Sequence, residues 1–136
     1  MPYTGGYPTT SVKVARGRYS FATDGGAVGD IDLTSGTVIP ANAYILSGFI
    51  EVDTALDSGG SATVALKVEG AADLLAATAF GSAPWSTTGR KSIIPVGTGA
   101  TSVKTTAARK LQATVATAAL TAGAFDVVVL YVVIPD

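Results

Sequence analysis

Residues Ala43 to Glu69, AYILSGFIEVDTALDSGGSATVALKVE, decide the fold class. The stretch alternates apolar and polar residues, is rich in β-branched and aromatic side chains, and is interrupted once, by Asp57-Ser58-Gly59-Gly60-Ser61. That interruption supplies residues that tolerate the backbone conformations of a chain reversal. The expectation is a hairpin of two long strands. Tyr44, Leu46, Ile50 and Val52 would share one face of the first strand, and Ile45, Ser47, Phe49, Glu51 and Asp53 the other. In the second strand Ala62, Val64, Leu66 and Val68 would face inward, with Thr63, Ala65, Lys67 and Glu69 outward. Gly48 either weakens its strand or admits a close neighbour.

Upstream, Val12 to Asp24 reads as a first strand, with Val12 and Val14 on one parity and Ala15, Tyr19 and Phe21 on the other. Gly17 lies where the apolar parity changes, which predicts a bulge or bend. Asp24-Gly25-Gly26 turns the chain into a short strand, Ala27 to Leu33, with Ile31 and Leu33 inward and Asp30 and Asp32 outward; this pair too has a hairpin signal. Thr34 to Thr37 makes another turn. Met1 to Ser11, with two prolines, two tyrosines and no periodicity, reads as an extended arm outside the core.

Downstream, Gly70 to Phe80 is the one place where a helix competes, through the spacing of Ala71, Leu74, Leu75 and Thr78. Gly81 to Gly89 is a loop holding the sole tryptophan, Trp85, which is expected to plug the end of the sandwich; the rival reading pairs it with Tyr44 as a sugar-stacking platform. Ser92 to Val96 is a short strand that Pro95 places at an edge or an end. After a turn at Gly97-Thr98-Gly99, Thr101 to Ala107 is a weak strand. Lys110 to Thr117 alternates with Leu111, Ala113 and Val115 inward. Phe125 to Ile134 is apolar on both parities except for Asp126, which predicts a central strand covered on both sides or a subunit interface. About eight strands joined by turns give an all-β chain: an antiparallel β-sandwich, jelly-roll-like, spanning residues 12–136 as one domain behind the arm at 1–11.

Composition narrows the chemistry. The chain has no cysteine and no histidine, which removes disulfides, thiolate metal sites, and the commonest metal ligand and general base. Asp30 with Asp32, and Glu51 with Asp53, are pairs of like-facing acids and read as solvated strand faces. Counting from Asp30 puts Ser35 and Ala41 where a calcium loop needs Gly and Glu. The glycines at 25–29 do not form a dinucleotide fingerprint, and no phosphate loop is present. No catalytic, metal or cofactor site is expected, and the chain is not read as an enzyme.

Charged residues make up 14% of the chain against 48% hydrophobic ones, and mean hydropathy is +0.44, so much of the exterior is expected to face protein. Charges interrupt every window long enough to span a bilayer, and the first eight residues lack the pattern of a secretory signal. A net charge of −1 gives no general attraction to nucleic acid or to an anionic membrane. Acids concentrate between Asp24 and Asp73, and bases between Arg90 and Lys110. That polarity suits subunits meeting head to flank, and it equally suits strands of unlike charge on solvent faces. The residues expected to touch partners are Pro2, Tyr3, Tyr7 and Pro8 of the arm, Arg16 and Arg18 of the first strand, and Trp85, Arg90 and Lys91.

Three phrases carry a resemblance: Phe21 to Gly29 (FATDGGAVG), Ile39 to Ile45 (IPANAYI) and Thr54 to Val64 (TALDSGGSATV). They resemble the small β-rich virion proteins of tailed bacteriophages, with a similarity spanning about Tyr19 to Val68 and the C-terminal strand. Within that group the closest likeness is to a head decoration or cement protein. The resemblance implies a virion protein made in the host cytoplasm, placed on the capsid exterior, bound to the major capsid protein and to copies of itself, often as a trimer. A tail-tube, head-completion or fibre component, or a carbohydrate-binding module, are the alternatives.

Overall fold

The computed structural model describes residues 11–33, 38–93, 95 and 102–134. The arm at 1–10, the turn at 34–37 and the turn at 97–99 lie outside the described residues.

Eight strands form two four-stranded antiparallel sheets. They are β1 (Lys13–Ser20), β2 (Gly29–Asp32), β3 (Ala43–Ser58), β4 (Thr63–Lys67), β5 (Leu75–Ala79), β6 (Gly89–Ile93), β7 (Gln112–Ala116) and β8 (Leu120–Val133). One sheet has the order β1-β8-β3-β6 and the other β2-β7-β4-β5. The first strand therefore lies beside the last, and successive strands, except β4 and β5, pass from one sheet to the other, which is the arrangement of a jelly roll. The sandwich expectation holds, with one four-residue helix, Phe21–Asp24, between β1 and β2.

The expected central hairpin does not form. β3 and β4 occupy different sheets, and the Asp57 to Ser61 turn carries the chain across the core as an arch. Ser58 Oγ donates to Ala119 O at 2.7 Å and accepts from Gly60 N at 3.1 Å, which docks the arch on the turn between β7 and β8. The Asp24 to Gly26 turn crosses between sheets in the same way, so its hairpin signal is also overruled. A half-buried strand presents the same inward face whether its neighbour lies beside it or across the core, so alternation alone does not separate the two arrangements.

Within β3 the inward parity changes. Ala43 and Ile45 are buried, Leu46 is half exposed, and Ile50, Val52 and Leu56 are buried again. The pairing with β8 slips between Ile45 and Ser47, so Leu46 is the extra residue of a bulge. Tyr44 and Leu46 thereby turn outward, against expectation, and Ile45 turns inward. Gly48 admits a close neighbour: a Cβ there would lie 2.4 Å from Val128 O. Gly17 has a related role and is no bulge, because β1 pairs with β8 without a slip. A Cβ on Gly17 would meet the Leu33 Cβ of the facing sheet at 2.8 Å.

The competing helix at 70–80 gives way to a turn followed by β5. The Asp73 carboxylate accepts from the backbone N–H groups of Val68, Glu69 and Gly70 at 2.7–3.0 Å, and this caps the turn in a form incompatible with a helix through the same residues. Of the weak strand expected over 101–107, residues 102–107 show one isolated bridge, Tyr44 to Lys104. This segment is instead a strap. Buried Thr105 donates from Oγ1 to Pro40 O at 2.6 Å and accepts from Ala43 N at 3.0 Å.

The core lies between the sheets. Tyr19, Ile50, Phe125, Val127 and Val129 from one sheet meet Val64, Leu66, Leu111, Ala113 and Val115 from the other side. Each fully buried aliphatic or aromatic side chain contributes about 1.5–3 kcal/mol.

Candidate interaction surface

The two outer faces of the sandwich differ in chemistry. On the β2-β7-β4 part of the β2-β7-β4-β5 sheet, outward Asp30, Asp32, Lys67, Gln112 and Thr114 are polar and mutually bonded. Thr114 Oγ1 donates to Asp30 and Gln112 Nε2 to Asp32, each at 2.6 Å, and Lys67 Nζ lies 3.5 Å from Asp30. The Thr114 hydroxyl, followed by Lys67, holds the Asp30 carboxyl below its ordinary range. The acids expected to point outward do so, as a solvated face.

The outer face of the β1-β8-β3-β6 sheet is built from alternate residues of β8, the most apolar strand in the chain. Its register aligns them in rows across the sheet. Val132 lies opposite Tyr44; Leu130 lies between Val14 and Ser47; Val128 lies between Arg16 and Phe49; and Asp126 lies between Arg18 and Glu51. Val128, Leu130 and Val132 are half-buried, Val14 is 50% exposed, and Leu46 and Ile134 are 49% and 47% exposed. This strand was expected to be central and covered on both sides, or an interface. It is central, and its outward residues have no covering layer among the described residues.

Charges rim the apolar rows on one side. Arg18 Nη1 reaches Asp53 at 2.6 Å and Asp126 at 3.0 Å. Arg90 Nε donates to Glu51 at 3.0 Å while its guanidinium lies over the Phe49 ring, 5.1 Å from the centroid. At the other end Lys104 Nζ lies over the Tyr44 ring at the same distance. An apolar centre with aromatic residues and a charged rim is the anatomy of a protein-binding face.

The structure gathers some of the sequence-derived candidates here and disperses others. Arg16, Arg18 and Arg90 belong to this face. Lys91 does not, because its ammonium turns back onto Thr87 O and Thr88 O. Pro2, Tyr3, Tyr7 and Pro8 lie outside the described residues. Trp85 is fully buried against Phe125, with ring centroids 4.8 Å apart, so it has no face to offer a sugar or a partner. Among the described residues its Nε1 has no hydrogen-bond partner, and an unmet donor costs about 1–3 kcal/mol. Burying an aromatic of 150–250 Å² at about 25 cal/mol/Å² returns about 4–6 kcal/mol, so packing wins. Sequence reading missed Tyr44, Phe49, Val14 and Leu130, although the double-sided apolarity of Phe125 to Ile134 was the signal for them.

A polar depression of about 250 Å³ opens between Asp32, Lys67, Glu69, Arg109 and Lys110. Arg109 forks onto Glu69 through Nε at 2.8 Å and Nη2 at 3.1 Å, and Thr106 adds its N–H and hydroxyl. The Arg109 and Thr106 bonds hold the Glu69 carboxyl down at about 2. These groups satisfy one another and staple the strap to the turn after β4.

Three solved structures share the fold over nearly the whole chain. A chain in the capsid asymmetric unit of cyanophage Pam1 superposes with a TM-score of 0.63 at 21% identity, covering 98% of this chain and 93% of that one. A chain in the capsid of Ralstonia phage GP4 gives 0.64 at 20% identity, covering 100% and 90%. This is a fold found in phage capsids. A chain in the acid-stable capsid of Helicobacter pylori bacteriophage KHP30 gives 0.59 at 15% identity, covering 90% and 88%. No protein-family model and no curated protein matches the sequence.

Proposed function

We propose that this chain is a structural protein of a bacteriophage virion, a decoration or cement protein on the capsid exterior that binds the major capsid protein and its own copies as a trimer. The observation that carries the proposal is the apolar outer face of the β1-β8-β3-β6 sheet, uncovered among the described residues, on a fold shared over 90% or more of this chain with chains of three phage capsids. On the opposite outer face the groups of β2, β7 and β4 bond one another, so the two faces differ in what they offer a protein partner. No redox, acid–base or metal chemistry is needed for this role. Binding only the assembled shell stabilises that state by mass action, and contacts spanning neighbouring subunits must break together before the shell opens. The arm read at residues 1–11 is proposed as a second point of attachment.

The test uses particles of the source phage lacking this protein, with purified chain added back and followed by co-sedimentation and by labelled electron microscopy. Label is expected on heads. Val14→Asp and Leu130→Asp, which place a charge in the apolar rows, are expected to weaken attachment about tenfold or more each, equivalent to about 1.4 kcal/mol, with the thermal midpoint largely kept. Deleting Met1 to Thr10 is expected to weaken it as well. Label on tails favours a tail-tube, head-completion or fibre role, and undiminished binding by both aspartate variants removes this face from the proposal.

A further inference from the structure

The charges of the sandwich are sorted along its strands. One end holds the helix and turn at 21–28, the arch at 57–61 and the turn between β7 and β8; the other holds the starts of β1 and β3 and the strap. The middle is marked by the row Gly17-Val127-Ile50 in one sheet and the row Asp30-Thr114-Ala65 in the other. On the arch side of those rows the described residues include five acids, Asp24, Glu51, Asp53, Asp57 and Asp126, against three bases. On the strap side they include six bases, Lys13, Arg16, Lys67, Lys104, Arg109 and Lys110, against three acids. Both sheets contribute to both ends, so the polarity belongs to the ends and not to single strands.

Internal pairing leaves the contrast standing. Arg18 and Arg90 are taken by Asp53, Asp126 and Glu51. Among the described residues, Asp24 and Asp57 bond only the backbone N–H groups of Ser20 and Ser58, at 2.9 and 2.8 Å, and neither Lys13 nor Lys110 has an ion pair. Each end also carries exposed apolar side chains. Phe21 and Val28 flank Asp24 at the arch end; at the strap end Val12 adjoins Lys13, and Val38 adjoins the bridge from Ile39 to Arg109. The arch end is set before any partner arrives. Leu120 N donates to Gly26 O at 2.8 Å, and Cβ atoms on Gly26 and Gly60 would lie 2.2 Å from Leu120 O and 2.8 Å from the Ala118 Cβ. Three loops distant in sequence are thus closed on one another, and a preorganised surface loses little entropy on binding.

We infer that copies of this chain associate head to tail: the arch end of one, through Phe21, Val28, Asp24 and Asp57, docks on the strap end of the next, through Val12, Val38, Lys13 and Lys110. A second copy is the occupant because the chain itself carries both halves of the match, acid against base and apolar against apolar. Two arch ends, or two strap ends, would set like charges together. The contact is heterologous, so it leaves a free end on each side and repeats into a closed ring or an open row. The inference rests on the self-association within the reading above and is independent of the apolar outer face.

Sedimentation velocity over a concentration series is expected to show association of the wild-type chain that weakens as salt is raised, because exposed charges are screened. Asp24→Lys with Asp57→Lys makes both ends basic, and Lys13→Glu with Lys110→Glu makes both ends acidic. Each double variant, its fold checked by circular dichroism, is expected to self-associate about tenfold or more weakly. An equimolar mixture of the two is expected to regain association, since the native end of each meets the native end of the other and the reversed ends match as well. A folded double variant that associates like wild type overturns the inference, as does a mixture of folded variants that stays monomeric or a wild-type chain monomeric at every concentration. Val14→Asp should leave these sedimentation readouts unchanged while weakening attachment to particles, which separates failure here from failure of the attachment proposal.

Discussion

Gly48 shows how little room a single methyl group has between the central strands. It sits opposite Val129 of β8 and Ile93 of β6, and a Cβ would approach backbone atoms, Val128 O at 2.4 Å and Val129 Cα at 3.3 Å. Backbone in the middle of a sheet cannot swing aside as a flexible side chain can. Gly48→Ala is therefore expected to destabilise the fold by about 1–3 kcal/mol, read as a lower denaturant midpoint with an unchanged slope. Sequence allowed two roles for this glycine, and the geometry selects the close approach. The parity of Tyr44 and Leu46 was less legible, because a bulge is a property of two strands in register and the sequence of one does not announce it. Trp85 was readable from composition, since a sole tryptophan in a glycine-rich loop has more to gain from burial than from exposure.

At the scale of elements, the strap over residues 102–111 is held by groups that sequence periodicity cannot detect. Thr105 bridges Pro40 and Ala43, and Arg109 with Thr106 clamps Glu69. The clamp has a pH signature. Its Arg109 and Thr106 bonds lower the Glu69 carboxyl from its ordinary 4.5 to about 2 in the folded chain. A depressed folded value means that the stabilisation is present above about pH 4.5 and is lost as the pH falls toward 2. Thermal midpoints measured across that window are expected to fall for the wild-type chain and to fall less for Glu69→Gln, which has no proton to take up; parallel slopes would show that the clamp does not contribute. The strand and turn pattern was legible because alternation and glycine-rich turns are local. The partners of those strands were not, because Asp57 to Ser61 can close a hairpin or span the core with the same residues. The helix at 70–80 failed for a local reason, three backbone donors captured by Asp73.

For the whole molecule, the pairing of β1 with β8 sets the folding problem. The first and last strands, far apart in sequence, end side by side, and such non-local topologies fold in milliseconds to seconds, far slower than helical bundles. Trp85, buried against Phe125 of β8, is a built-in probe. Refolding followed by its fluorescence in a stopped-flow instrument is expected to fall in or beyond that range, and completion within microseconds would contradict it. Of the candidate surface, sequence made legible the strand that builds it and three of its basic residues. The unequal chemistry of the two outer faces emerged only when β8 was flanked by β1 and β3.

The alternation of strands between layers has a mechanical side. Of the links between consecutive strands, only β4 to β5 stays within one sheet. Each of the others is a covalent thread from one layer to the other, so a load that tries to peel the layers apart is borne by the peptide chain at many points along the sandwich as well as by the contacts in its core. Shear along the strands meets hydrogen-bonded ladders instead. A slab sewn in this way resists separation of its layers while its face is pulled.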